Sequence, residues 1–494
     1  MTQEGSTPSL GVSLSWQTLN VVLQVALQLV YMALLARWIA PEDFGVMAIA
    51  LVVVGVVEIF AQVGIGPSIV QQPNLTPSHI ASAWWFSAGL GLLFFAGMYA
   101  AAPALSAHYE TPALCTVLRW ISLSFVISGF SVVSRSLLIK RMDFRALTVC
   151  ALAGMVVGNL GVGLWMAFSG AGLWAYVTAL LVQNAVLSLG YLWFARIPLG
   201  AGWDGAALGS LLRYGSQSTA FNLLTYAGAK MDTLMVTESL GWREVGWYDR
   251  AVYLMGLPVT VLGKLGDSVL FSGLSAMQND RDQLRATSLR GLHLIFLLTL
   301  PMTTVLVWHA EGITRLVLGP QFDGAAPLAQ TLFLAVALRA LTKLGDANIR
   351  ALDGLRWGII IKLVFLGTMA GGIQWALADG YGARGAAWAV VLASSVQCLL
   401  TIGWMAHTLG ISWKELILFM LPGGGMAVIV AIPLGMFPSL EWLESTACAV
   451  SIALGAALVI PGLTVPKAVD PDGALRHWIA GRMPGRGLRS RWKP

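Results

Sequence analysis

Two stretches of the chain decide its fold: WIAPEDFG at residues 38–45 and SLGWREVG at residues 239–246. After the first residue, both run in the order aliphatic, small, variable, charged, acidic, apolar, glycine. Each stretch joins two long apolar segments, as the turn of a helical hairpin does. The common order predicts two equivalent hairpins, and therefore an internal repeat with an offset of 201 residues.

The composition places these hairpins in a membrane. Of the 494 residues, 57% are hydrophobic and only 11% are charged, against roughly a quarter charged in soluble domains. This excludes a soluble enzyme. A bilayer core of about 30 Å requires about 20 largely apolar residues per helix. Windows of this kind predict an all-α polytopic membrane protein of about 14 transmembrane helices, at residues 13–38, 44–63, 80–102, 113–139, 144–168, 173–194, 211–239, 247–274, 292–308, 327–344, 358–378, 386–407, 416–436 and 442–465.

The position of the repeat predicts how these helices are grouped. Six helices separate the two hairpins, so both halves have the same orientation and an axis along the membrane normal relates them. We therefore expect an N-terminal lobe of six helices in residues 1–200 and a C-terminal lobe of six in 201–410. Two more helices follow in 411–465, and residues 466–494 form a basic tail.

The distribution of Lys and Arg predicts the orientation, because cytoplasmic loops carry the excess. With the N-terminus inside, the inner loops hold Lys140, Arg141 and Arg145 among others, and the outer loops hold far fewer basic residues, namely Arg243, Arg250, Arg315 and Arg384. Both termini are then cytoplasmic. The basic tail accounts for most of the net charge of +6, which favours anionic membrane lipids as its partner and not nucleic acid.

Polar residues follow one face of the first predicted helix at steps of three and four, and a similar stripe recurs in the seventh. Amides in hydrocarbon must find partners, so such a stripe either joins two helices or lines a wet cavity. Its recurrence in both halves favours the cavity. The candidate residues of the two stripes are Gln17, Asn20, Gln24, Gln28, Tyr31, Asn222 and Thr225.

Ionisable residues within membrane spans are costly and are functional candidates by default. Most of them here are cations, namely Arg119, Arg135, Lys230, Lys264, Arg339 and Lys343, whereas the acids are Glu58, Asp232 and Asp267. This excess predicts an anionic cargo, and phosphate or pyrophosphate suits Arg and Lys well. Two structural alternatives remain: Lys264 pairs with Asp267 on one helical face, and Lys343, Arg350 and Lys362 extend to the membrane surface.

Motifs of soluble enzymes do not occur in the sequence. There is no H-E-x-x-H, no P-loop and no G-x-S-x-G, and the four cysteines lie singly in apolar stretches. We therefore expect no catalytic residue, no metal and no cofactor. Membrane glycosyltransferases use acids in loops such as the one with Glu42 and Asp43, but this loop is too short to build a donor site. Because Glu244 occupies the equivalent place in the repeat, we expect these acids to face a helix dipole.

Five segments of the sequence carry a resemblance to a known family: LLARWIAPEDFG at 34–45, GIGPSIVQQ at 64–72, IKRMDF at 139–144, YDRA at 248–251 and LGPQF at 318–322. In this order they resemble the Wzx-type flippases of lipid-linked oligosaccharides, polysaccharide transporters of the multidrug/oligosaccharidyl-lipid/polysaccharide (MOP) superfamily. The exopolysaccharide and colanic-acid exporter branch is the most similar. The resemblance covers roughly the first 350 residues.

The resemblance implies a V-shaped, MATE-like fold of two six-helix lobes, with spans one, two, seven and eight around a cavity. It also implies a function in the bacterial inner membrane: moving an undecaprenyl-pyrophosphate-linked oligosaccharide to the periplasmic leaflet. The polar stripes then bind the sugar and the cations bind the pyrophosphate. Glu58 and Asp232 are candidates for ion coupling, and polysaccharide polymerase machinery is a further partner.

Four alternatives stay open. A cation-coupled drug antiporter of the same fold is expected to present aromatic and acidic cavity residues, which the excess of Lys and Arg disfavours. A lipid II flippase is closer in function. A membrane glycosyltransferase requires a long outer loop with paired acids, which this sequence lacks. A non-transporting scaffold for polysaccharide assembly is distinguished only by an assay.

Overall fold

All regular structure in the described part of the chain is helical, which confirms the all-α prediction. The computed structural model describes residues 10–62, 65–72, 74–197, 203–266, 281–352 and 354–436. The predicted last span at 442–465 and the basic tail lie outside these residues.

The first ten helical segments cover the predicted N-terminal spans. They are α1 (Leu10–Leu35), α2 (Pro41–Gln62), α3 (Ile65–Gln71), α4 (Pro77–His108), α5 (Pro112–Ile121), α6 (Leu123–Lys140), α7 (Phe144–Gly154), a π-helix (Met155–Gly163), α8 (Leu164–Phe168) and α9 (Leu173–Ala195). Proline is the first residue of α2, α4 and α5, where its missing N–H costs no hydrogen bond. The Asp143 side chain accepts the N–H of Ala146 at 3.0 Å and begins α7.

The remaining segments are α10 (Gly205–Ser239), α11 (Trp242–Gly266), α12 (Arg281–Trp308), α13 (Ala310–Leu318), a 3₁₀ turn (Pro320–Ala325), α14 (Ala326–Phe333), α15 (Ala335–Ala351), α16 (Leu355–Ala378), α17 (Gly382–Leu409) and α18 (Trp413–Met436). Asp204 begins α10 by accepting the N–H groups of Ala206 and Ala207. Ser412 and Glu415 form a capping box at the start of α18.

Nine helices of the described part are long and apolar enough to cross a membrane. The predicted span at 327–344 is bent: Pro320–Phe333 and Ala335–Arg350 meet at 44°, and together they make a tenth. Helices α1, α10 and α11 cover three more of the predicted windows. The chain is thus a multi-pass membrane protein, and the number 14 stays a prediction.

The described residues form two compact units. The first comprises residues up to 250 with 314–325 and 373–386, and the second comprises 251–313, 326–372 and the residues from 387 onward. Apolar residues of α2, α4, α5 and α9 pack together in the core of the first. The core of the second is built mainly from α12, α15 and α17. The predicted lobe boundaries at residues 200 and 410 stay a prediction.

The two repeated turns lie against each other in the first unit. A Cβ atom at Gly45 would overlap the carbonyl oxygen of Trp242, and one at Gly246 would overlap that of Pro41. Pro41 and Trp242 occupy equivalent positions of the repeat. The side chains of Glu42 and Arg243, also equivalent, are paired at 2.6 Å. The repeat found in the sequence therefore has a structural counterpart, a pseudosymmetric contact that we call the glycine seam (residues 41–45 and 242–246).

The glycine seam predicts the effect of one added methyl group. Gly246→Ala should lower the free energy of unfolding by about 1–3 kcal/mol, because the atom it meets is backbone and cannot rotate away. Gly256→Ala in the same helix is the matched control, since its new Cβ meets no described atom within 4 Å. Thermal unfolding of both variants in detergent measures the difference. Equal melting temperatures of the two variants would contradict the close approach.

Candidate functional site

A cluster of buried charges lies within the first compact unit, where α10 and α11 meet. Asp249 is 4% exposed and Arg250 is 3% exposed. The Asp249 carboxylate lies between two cations: Oδ1 is 3.9 Å from Nζ of Lys230, and Oδ2 accepts from Nε of Arg250 at 3.1 Å and also from its Nη2. One acid thus compensates part of the charge of two cations. We call Lys230, Asp249 and Arg250 the charge triad.

The position of Arg250 corrects a prediction, because the distribution of charges placed it in an outer loop. It lies inside α11, about two turns after the helix begins at Trp242. Its guanidinium stacks on the Phe44 ring, with Cζ 4.6 Å from the centroid, and Nη1 is 3.1 Å from the Met32 sulfur. A planar, weakly hydrated cation suits such a mixed environment.

Asp232 lies on the same part of α10 and is 1% exposed. Its carboxylate accepts the Tyr248 hydroxyl at 3.2 Å and the Thr233 N–H at 2.8 Å. Glu58, the second predicted coupling acid, accepts from the Ser128 hydroxyl at 3.4 Å. Each acid thus accepts hydrogen bonds from neutral donors, and the role of both in ion coupling stays a prediction.

The predicted polar stripes differ in exposure along their length. Gln28 and Thr225 are exposed, Gln24 is half-buried, and Tyr31 is 3% exposed. The side chains of Gln17, Asn20 and Asn222 lie outside the described residues. Helices α10 and α2 contact each other, because the Tyr226 hydroxyl donates to the carbonyls of Leu51 and Val52. A continuous sugar-binding stripe stays a prediction.

The other predicted cations of the first unit have separate neighbours. Arg119 stacks on Tyr99, and Arg135 is exposed beside Tyr191. Neither of them belongs to the charge triad.

In the second unit, Nε of Arg339 is 3.5 Å from the Ser394 hydroxyl, and Lys343 is exposed. The Lys362 side chain is 12% exposed and pairs with Asp346 at 3.7 Å, and its extension to the membrane surface stays a prediction. The side chain of Lys264 and all of Asp267 lie outside the described residues.

Several functional positions were missed by reasoning from the sequence. The charge triad needs Asp249, which the sequence shows only as part of the YDRA segment. Lys140 and Arg141, used there as markers of orientation, donate to helix-terminal carbonyls: Lys140 to Ile69 and Gln72, and Arg141 to Ala195. Cations at helix C-termini are favourable. Within the described ranges, no three His, Cys, Asp or Glu residues are grouped as metal ligands.

The charge triad predicts that Asp249 is needed for folding. Asp249→Asn leaves the buried Arg250 and the partly exposed Lys230 without their carboxylate, and removal of one partner of a buried pair such as Asp249–Arg250 costs about 3–5 kcal/mol. The control is Asp379→Asn, which neutralises an exposed acid. Size-exclusion profiles and thermal unfolding in detergent compare the variants. Normal stability of Asp249→Asn would show that the triad is not a structural requirement.

Comparisons with known proteins agree with this architecture. A family model described as polysaccharide biosynthesis protein matches residues 34–327, which include the glycine seam and the charge triad. The lipopolysaccharide biosynthesis protein WzxC of Escherichia coli (strain K12) is 24% identical over 414 residues, 82% of each chain. The succinoglycan biosynthesis transport protein ExoT of Rhizobium meliloti (strain 1021) is 24% identical over 323 residues, 65% of each chain.

Two solved structures show the same fold. The lipid II flippase MurJ in an inward closed conformation has a TM-score of 0.72 and 13% identity, covering 90% of this chain and 98% of that one. An inward-facing multidrug resistance MATE family transporter of the MOP superfamily has a TM-score of 0.66 and 15% identity, covering 78% and 94%. At these identities the likeness concerns the fold alone, and it confirms the predicted MATE-like helical fold. Since the family model matches more than half of the sequence, the chain belongs to the polysaccharide biosynthesis protein family.

Proposed function

We propose that the protein is a transporter that moves lipid-linked oligosaccharides, carried on undecaprenyl pyrophosphate, from the cytoplasmic to the periplasmic leaflet of the bacterial inner membrane. The observation that carries this proposal is the family match over residues 34–327 of a multi-pass membrane chain. The names of WzxC and ExoT support it, because the first refers to lipopolysaccharide biosynthesis and the second to transport in succinoglycan biosynthesis. Membrane lipids and polysaccharide polymerase machinery are further proposed partners.

The charge triad suggests how the pyrophosphate is bound. Asp249 and Arg250 are fully buried, but one third of the Lys230 side chain is exposed. Lys230 is therefore the member of the triad that an anion can approach. The triad as a whole carries one net positive charge, since one carboxylate faces two cations. In this proposal Lys230 binds the phosphate while Arg250 keeps Asp249 in place.

The sugar is assigned to the exposed polar residues of α1 and α10. Gln28 and Thr225 offer an amide and a hydroxyl, groups that hydrogen-bond to sugar hydroxyls. The prenyl chain remains in the bilayer, because transfer of its apolar carbons to water would cost free energy for every group exposed. Release of the head group on the other side then follows the rocking of repeat halves that is general for such transporters.

An enzymatic role is disfavoured by the positions of the acids. The Glu42 carboxylate, the best candidate for a glycosyltransferase, is paired with Arg243 at 2.6 Å. Asp43 lies in the first turn of α2, where a carboxylate faces the helix dipole. Both acids thus have structural roles at the glycine seam.

The proposed orientation has the N-terminus in the cytoplasm. It is supported by the excess of Lys and Arg in the loops that this orientation places inside, Lys140 and Arg141 among them. The basic residues of the tail at 466–494 are expected to lie at the cytoplasmic surface.

Deletion of the gene tests the transport proposal. Surface polysaccharide should be lost, and lipid-linked repeat units should accumulate in the cytoplasmic leaflet, because they are synthesised but not moved. Extracted lipid-linked intermediates and surface polysaccharide are measured together, and a plasmid copy of the gene is the control. If surface polysaccharide disappears and no intermediates accumulate, the protein acts before the flipping step, and if they accumulate in the periplasmic leaflet, it acts after that step.

Lys230→Gln separates binding from folding. Asp249 keeps its pair with Arg250 in this variant, so the protein should fold normally. Loss of one charge-assisted contact to phosphate should lower transport at least about tenfold. Lys414→Gln, an exposed cation at the start of α18, is the matched control. Export rate per folded protein is measured, and unchanged export in Lys230→Gln would remove Lys230 from the substrate site.

A further inference from the structure

A pocket of about 310 Å³ opens on the surface of the first unit between α4 and α5. Its lining residues are Phe95, Tyr99, Thr116, Arg119, Trp120 and Leu123. All of them belong to these two helices and to the first residue of α6, and none belongs to the polar stripes or the charge triad. The pocket is therefore separate from the site proposed for the transported substrate.

Among the described residues that line the pocket, Arg119 is the only charged one. Its Nε is buried and has no hydrogen-bond partner among the described residues, and its Cζ lies 4.5 Å from the centroid of the Tyr99 ring. Within the described ranges no carboxylate pairs with it. A guanidinium has five N–H donors, and the face of an aromatic ring does not replace a hydrogen-bond acceptor for any of them. The guanidinium is therefore suited to bind an anion.

The surroundings of the pocket show which kind of anion fits. Leu92, Leu93, Tyr99 and Trp120 have exposed fractions of 51%, 65%, 47% and 51%. In a membrane protein such an apolar surface faces lipid chains. Phe95 and Leu123 continue this apolar surface into the pocket, next to the guanidinium and the Thr116 hydroxyl. The lining is therefore amphiphilic, with donors for an anionic group and an apolar wall for a chain.

Arg119 lies near one end of its membrane span. It lies seven residues after Pro112, the start of α5, which corresponds to about 10 Å along the helix. Trp120 contacts Trp174 edge to face at 6.4 Å, and Tyr109 contacts Trp242 of the glycine seam. Aromatic residues of this kind are enriched where the membrane meets water. The pocket thus opens near the seam end of the unit.

We propose that this pocket binds an anionic phospholipid. The phosphate diester is bound by the guanidinium of Arg119 and the hydroxyl of Thr116, and the first carbons of one acyl chain lie along Phe95 and Leu123. The volume of about 310 Å³ accommodates a phosphate group and the first carbons of one chain. Under the proposed orientation the lipid belongs to the periplasmic leaflet.

Lipid binding to the purified full-length protein tests the proposal. Lipids retained in neutral maltoside detergent are counted by native mass spectrometry during titration with phosphatidylglycerol or phosphatidylcholine of identical chains. The wild type should retain one phosphatidylglycerol molecule, with about fivefold preference over phosphatidylcholine. One basic residue near a membrane surface contributes a binding free energy of this size. Arg119→Gln should lose the preference. Arg145→Gln, an exposed cation at the start of α7, should keep it.

Two additional measurements distinguish a bound lipid from a soluble anion and from a folding defect. Leu123→Trp fills the pocket and leaves Arg119 unchanged, so this variant should also lose the preference for phosphatidylglycerol. If Arg119→Gln does not fold, Leu123→Trp tests the lipid site in its place. Inorganic phosphate at millimolar concentration should not displace the lipid. The proposal is overturned if Arg119→Gln and the wild type prefer phosphatidylglycerol equally, or if the wild type binds both lipids equally. It is also overturned if inorganic phosphate displaces the lipid, because the pocket would then bind a soluble anion.

Discussion

The close approach of two helix starts is the constraint on which the first compact unit depends. Only glycine at positions 45 and 246 allows the backbones of α2 and α11 to touch through the carbonyls of Trp242 and Pro41. The Phe44 ring, next to Gly45, contacts the guanidinium of Arg250, which lies one turn after Gly246 in α11. The same ring contacts Phe322, with 5.6 Å between the ring centroids. The position of the buried charges therefore follows from the packing of two glycines.

A distant part of the chain packs beside the glycine seam. The amide of Gln321 donates to the carbonyls of Ala36 and Ile39 at the end of α1, and the Trp247 indole N–H donates to the Gln321 carbonyl at 3.1 Å. Carbonyls at a helix end have no partner within their own helix, and an unpaired carbonyl is costly away from water. The segment LGPQF thus forms hydrogen bonds with both repeated hairpins: with the end of α1 in the first and with Trp247 in the second.

The helices and the repeat could be predicted from the sequence, because apolar length and the order of residues in a turn are local properties. The pairing of Glu42 with Arg243 could not, although both were known to be equivalent positions. Equivalent residues meet only if the axis passes between them, and that depends on how the halves pack. Arg250 was assigned to a loop for a related reason: burial of a cation requires partners that are remote in sequence.

Membrane helices hide a second kind of information. A helix face that contacts lipid and one that contacts protein have nearly the same apolarity, because lipid chains are as apolar as leucine. The periodicity that locates a buried face in soluble proteins is therefore weak, and it does not show that Arg119 lines a pocket among exposed aromatic residues.

Several cations in or beside the spans are engaged by other groups of the protein and are not available to a cargo. Lys140 and Arg141 are used by helix ends, and Arg250 is neutralised by Asp249. In the second unit, Asp346 lies within electrostatic range of Lys343, Arg350 and Lys362. In both units an acid shared among several bases leaves a small positive surplus. Partial compensation of this kind favours binding of an anion and also its release, because a fully uncompensated buried cation would hold a phosphate too tightly for transport.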